Sequence, residues 1–145
     1  MRMEEAHPPA IHGVVESVLY TDNLPQAAAF YRDVLGFPIL AGDGERFQAL
    51  DAGGKGVLLL FKRGGTLHPL PVHGGIIPPH DGVGPHHIAF AIDFEAYDRW
   101  CCRLKTRGIA IEGEANWERG GRSVYFRDPD GHLVELVTPG IWPNY

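Results

Sequence analysis

At 145 residues, 44% hydrophobic and 21% charged, the chain has the length and composition of one compact globular domain with a buried core. A formal net charge of -5 speaks against nucleic acid as a partner, which favours a basic footprint. No apolar run approaches the roughly 20 residues that span a bilayer, so no membrane role is expected. Residues 1–9 carry acidic side chains and prolines instead of a basic stretch followed by an apolar one, and read as a loose tail, not a signal peptide. The two cysteines, Cys101 and Cys102, are adjacent and outside ordinary disulfide geometry. Together these features predict a cytoplasmic protein.

The first element is a strand over residues 14–20, interrupted by the polar Glu16. A helix follows, with Asn23 as N-cap, Pro25 in the first turn and Gln26 three residues on as in a capping box. Leu24, Ala27, Ala28, Tyr31, Val34 and Leu35 make one apolar face at helical spacing, and Gly36 supplies the stop. Short extended segments come next, at 37–40, 47–50 and 57–61. The stretch 63–85 is rich in Gly, Pro and His and reads as a linker that overhangs a site.

The plan then repeats. A strand over 87–92 opens on His87, and a helix capped by Asp93 buries Phe94, Tyr97, Trp100, Cys101 and Leu104 before stopping at Gly108. Extended segments follow at 109–111, 123–126 and 133–137. Asp22 lies six residues after Glu16, as Asp93 does after His87. Such repetition marks two copies of one supersecondary unit. The fold class expected is α+β, with two βαβββ modules in tandem forming a curved mixed sheet and helices on its outer face. The divisions are a tail at 1–10, modules at 11–62 and 86–138, the 63–85 linker between them and a tail at 139–145.

Alternation along the strands nominates a site. His87, Ala89 and Ala91 share the face opposite the bulky Ile88, Phe90 and Ile92, and the alanines leave room for a bound molecule. Glu135 interrupts Leu133, Val134, Leu136 and Val137, where an ionised carboxylate is costly unless paired. Glu16 and His87 hold equivalent positions in the two copies, so pseudo-twofold symmetry would bring them together, with Glu135 joining from a neighbouring strand. Glu16, His87 and Glu135 thus predict a centre for one divalent metal ion, Fe, Mn, Ni or Zn, with positions open to substrate. Tyr125 and Gln48 each lie three residues before an aspartate, Asp128 and Asp51, and read as equivalents. Tyr125 is a candidate hydrogen-bond donor to a bound oxygen and Gln48 a candidate substrate contact. His80 is a loop-borne candidate acid or base, but as one of 8 histidines, several in flexible stretches, it is expected to be solvent-exposed; His86 is expected to point away from the site.

Several stretches together resemble a known superfamily. They are Tyr20-Thr21-Asp22-Asn23-Leu24, Phe30-Tyr31-Arg32-Asp33-Val34-Leu35-Gly36-Phe37, Gly84-Pro85-His86-His87-Ile88-Ala89-Phe90 and the run from Tyr125 through Asp128-Pro129-Asp130-Gly131-His132 to Glu135. They look like the vicinal oxygen chelate superfamily, which includes glyoxalase I, extradiol dioxygenases, fosfomycin-resistance transferases and bleomycin-resistance proteins. The resemblance implies metal ligands at Glu16, His87 and Glu135, a tyrosine facing the metal pocket at Tyr125, and a homodimer. The glyoxalase I pattern has a further ligand on the last strand of the first copy, where this chain reads Val57-Leu58-Leu59-Leu60-Phe61. The function implied is a metal-dependent lyase, isomerase or dioxygenase acting on a small substrate that chelates the ion through adjacent oxygens. Glu16 or Glu135 would double as proton acceptor. The alternative is a metal-free dimer that binds a drug in a cleft lined by Phe47, Trp117, Tyr125 and Trp142.

Overall fold

Ten strands and two helices follow one another as two successive modules in the computed structural model, which describes residues 7–145. The tail expected at 1–10 lies outside the described residues as far as residue 6, and 7–10 are exposed coil. The first module comprises β1 (Glu16–Thr21), α1 (Leu24–Asp33), β2 (Ile39–Gly42), β3 (Phe47–Ala52) and β4 (Gly56–Lys62). A two-stranded hairpin, β5 (Leu70–Val72) and β6 (Gly75–Ile77), lies within the connecting stretch. The second module runs through β7 (His87–Ala91), α2 (Tyr97–Thr106), β8 (Gly113–Asn116), β9 (Arg122–Arg127) and β10 (Leu133–Val137). Each module has its own four-stranded mixed sheet, ordered β1-β4-β3-β2 and β7-β10-β9-β8, with the first and last strands parallel. The βαβββ repeat expected from the sequence is therefore present.

The caps act largely as read. The Asn23 side chain accepts from the Gln26 N–H at 3.1 Å, and Gly36 and Gly108 take the left-handed conformation at φ 77° and 70°. Asp93 makes no side-chain cap; a 3-10 turn, Phe94–Ala96, stands between it and α2. The apolar faces of both modules meet in one core. Tyr31, Leu50, Leu58, Leu104, Val124, Phe126 and Val134 are each at most 1% exposed within a single cluster. A fully buried leucine contributes about 2 kcal/mol. Helix α1 touches the second module directly, with Phe30 against Phe126 and Tyr31 against Phe90.

One expectation needs correction, and two connecting segments carry more structure than their sequence signals. The strand after the second helix is Gly113–Asn116, not 109–111. Gly108 turns the chain back so that the Ile109 N–H bonds the Leu104 carbonyl, and Ile109 and Ile111 pack on the core before any pairing begins. The 63–85 linker contains the β5–β6 hairpin, closed at His73-Gly74 with Gly74 at φ 87°. Residues 139–145 fold back on β10, where the Tyr145 hydroxyl donates to the Val137 carbonyl at 2.7 Å.

Candidate functional site

Strand pairing decides which side chains share a face. In the second sheet Leu133 pairs with His87 and Arg127, and Glu135 with Ala89 and Tyr125. Val124, Phe126, Val134 and Leu136 face the core, so His87, Ser123, Tyr125 and Glu135 lie together on the opposite side. Glu135 is only 5% exposed. One carboxylate oxygen, Oε2, accepts from the Ser123 hydroxyl at 2.5 Å. Ser123 Oγ itself accepts from the Trp117 indole N–H at 2.8 Å. The other oxygen, Oε1, lies 3.2 Å from His87 Nε2.

The opposite edge of the His87 ring fixes its proton. Nδ1 is 3.0 Å from the Leu133 carbonyl oxygen, which can only accept, so Nδ1 carries a hydrogen. Nε2 is then the atom facing Oε1. A lone pair and a carboxylate oxygen repel at that distance unless a positive charge lies with them, as a second ring proton or a metal ion. Imidazoles that ligate metals characteristically donate their other N–H to a carbonyl or carboxylate. The donor set therefore fits a divalent ion. Tyr125 stands beside the pair, its ring centroid 6.4 Å from that of His87. Burial first, and then the Glu135 charge, raise its hydroxyl above the ordinary tyrosine range, keeping it a protonated donor at neutral pH.

The first sheet presents a different surface. Glu16 pairs with Val57, Val18 with Leu59 and Tyr20 with Phe61. Leu58 and Leu60 are buried, so Glu16, Val18, Tyr20, Leu59 and Phe61 share the outer side. They line a cavity of about 650 Å³ that the hairpin completes with Leu70, Val72 and Ile77. His80 and Arg46 are its other polar lining residues. The His80 ring is not free in solvent: its Nδ1 is 2.5 Å from the Tyr20 hydroxyl and its ring lies edge-on to Phe61. His86 stacks on His132 at 4.6 Å, apart from the metal-ligand candidates as expected.

Within one chain the proposed ligands are only partly assembled. His87 and Glu135 meet, whereas Glu16 borders the first-sheet cavity and a small cleft of about 140 Å³ beside Ile88 and Phe90. Intramolecular pseudo-symmetry does not bring Glu16 into ligand distance with His87 and Glu135. Gln48 is also displaced from its expected place. It pairs with the core residue Leu60 and its amide donates to the Ala41 carbonyl at 3.2 Å, on the face away from the cavity. Matching Glu16–Val57 to His87–Leu133 makes Leu59 the equivalent of Glu135, and Ala49 the equivalent of Tyr125. Counting back from the aspartates fails because Asp51 lies within β3 while Asp128 lies in the turn after β9.

Among the described residues one acidic and histidine cluster, Asp128, Asp130 and His132, is compact enough to suggest a metal. Its ligand atoms are already engaged. Asp128 accepts from the Tyr31 hydroxyl and from the Asp130 and His132 N–H groups. Buried His132 accepts at Nδ1 from the His86 N–H at 2.8 Å, and its Nε2 donates to the Tyr20 carbonyl at 2.7 Å. This histidine ties β1 to the second module and has no lone pair left for an ion. Sequence reasoning missed both His132 and Ser123. Ser123 was within reach, since it lies two residues from Tyr125 on the same strand.

Comparison with known proteins agrees with this architecture. A family model described as the Glyoxalase/Bleomycin resistance protein/Dioxygenase superfamily matches residues 11–136. A metallothiol transferase FosB of Staphylococcus epidermidis is 31% identical over 132 residues, covering 90% of this chain and 86% of its own. A fosfomycin resistance protein FosX of Listeria innocua is 48% identical over 52 residues, 35% of this chain and 39% of its own. The crystal structure of a lactoylglutathione lyase from Agrobacterium tumefaciens superposes with a TM-score of 0.83 at 33% identity, covering 94% of this chain and 99% of that one.

Proposed function

Because this chain belongs to the glyoxalase/bleomycin resistance protein/dioxygenase superfamily, we propose that it is a metal-dependent enzyme whose small substrate presents two adjacent oxygens to the ion. The observation that carries this reading is the His87–Glu135 pair, with Nδ1 committed to a carbonyl and Nε2 facing a buried carboxylate oxygen 3.2 Å away. A metal-free binding cleft has no use for that arrangement, which supports an enzyme over a drug-sequestering dimer. Trp142, named for such a cleft, is 64% exposed on the C-terminal segment.

The third ligand is Glu16 of the partner subunit in a homodimer. Two unlike half-sites support this: a polar one on the second sheet and an apolar one bearing Glu16 on the first. Ile11, Val14 and Val15 leading into β1 are 90%, 79% and 72% exposed, an apolar stretch beside Glu16 that a second copy would cover. A bound Fe, Mn, Ni or Zn ion would supply Lewis acidity to the substrate oxygens. Tyr125 donates a hydrogen bond to a substrate oxygen, and Glu16 or Glu135 accepts a proton. Leu59 occupies the place of a fourth ligand, leaving two carboxylates and one imidazole.

Elemental analysis of protein purified without chelators tests the reading. Wild type should hold about one divalent ion per chain, and Glu16→Ala, His87→Ala and Glu135→Ala should each lose most of it with circular dichroism unchanged. Unaltered metal content in any variant removes that residue from the site, and metal-free wild type removes the enzyme reading.

A further inference from the structure

The cavity over the first sheet is more than the surroundings of Glu16. Glu16 and Tyr20 are four residues apart on β1, a separation of about 13 Å at about 3.3 Å per residue. Apolar wall lies between them, with Val18 and Leu59 below and Val72 and Ile77 from the hairpin. At the Tyr20 end stands Arg46. Its Nε donates to the Gly65 carbonyl at 2.9 Å, and its guanidinium carbon sits 5.4 Å from the Phe61 ring centroid. The arginine ion pairs among the described residues belong to Arg32, Arg63, Arg122 and Arg127; Arg46 has no carboxylate partner. Its position is nevertheless fixed by the backbone contact and the ring. His80, held by Tyr20 and by backbone bonds to Thr66, gives a second polar group at the same end.

We infer that this cavity selects an elongated organic acid: an apolar or aromatic body over Val18 and Leu59, and a terminal carboxylate or similar anion read by Arg46 with His80. This rests on the proposed metal site only for the opposite end, where the chelating oxygens would meet Glu16. An aligned cation left unpaired beside apolar wall is complementary to such an anion, and a charge-assisted bond to a guanidinium is among the stronger single contacts.

The test is a titration of the full chain with 4-phenylbutyrate and its uncharged counterpart 4-phenylbutanamide, carried out in EDTA. The acid should bind about tenfold more tightly than the amide. Methyl resonances of Leu59, Leu70, Val72 and Ile77 should shift on titration, while those of core Leu104 and Val124 stay in place. Arg46→Gln should bring the two affinities together. Equal affinity in wild type, binding of neither compound, unshifted cavity methyls, or a preference that survives Arg46→Gln would each overturn the inference. Because metal is excluded, failure of the metal reading leaves this result intact, and the reverse also holds.

Discussion

Ser123 is the residue on which the polar half-site turns. Its hydroxyl donates to Glu135 and accepts from Trp117, so it holds the carboxylate in one orientation. Ser123→Ala should lower metal affinity about tenfold to a hundredfold, as loss of a ligand's outer partner does, while the fold persists; competitive chelator titration would measure it. The role proposed for Tyr125 lies one step nearer the substrate. Tyr125→Phe should cost about 1–3 kcal/mol in kcat/KM, with melting temperature and metal content unchanged. A near-silent Tyr125→Phe would mean that the ring only packs. That His87, Tyr125 and Glu135 share one face was legible in the sequence, because each is polar on a strand whose neighbouring positions are bulky and apolar. His132 was not legible. Its role depends on hydrogen bonds from two other segments, to the His86 N–H and the Tyr20 carbonyl, which no local pattern encodes.

Register governs what each strand can contribute. A slip of one residue moves a side chain from the cavity to the core, and this is why Gln48 was misplaced although the repeat itself was read correctly. Two substitutions test the register of β4. Leu59→Glu should fold, since Leu59 is half-buried beside the cavity, and should strengthen metal binding by placing a carboxylate where the second module has Glu135. Leu60→Glu, one residue on and 1% exposed, should destabilise by several kcal/mol or prevent folding. Chemical denaturation with elemental analysis separates the two outcomes. The helices were legible from caps and apolar spacing. The β5–β6 hairpin was not, because its three-residue strands are too short for periodicity and its pairing is the only evidence of it.

At the scale of the molecule, the repeat and its shared core could be read from the chain, but the arrangement of the two sheets could not. Strand periodicity reports which side chains share a face of one sheet and carries no information about how a second sheet faces it. The exposed apolar stretch before β1 and the proposed division of the site predict a dimer of about 32 kDa, twice the 16.0 kDa chain. Light scattering at micromolar concentration checks this, and a monomeric mass counts against it. The division also has a genetic consequence. Glu16→Ala and Glu135→Ala damage different half-sites, so a mixed pair of the two chains would contain one centre with both lesions and one with neither. Unfolding and refolding the two inactive proteins together at equal amounts should therefore restore about a quarter of the wild-type metal occupancy, since random pairing makes half of the dimers mixed. A site confined to one chain would restore none.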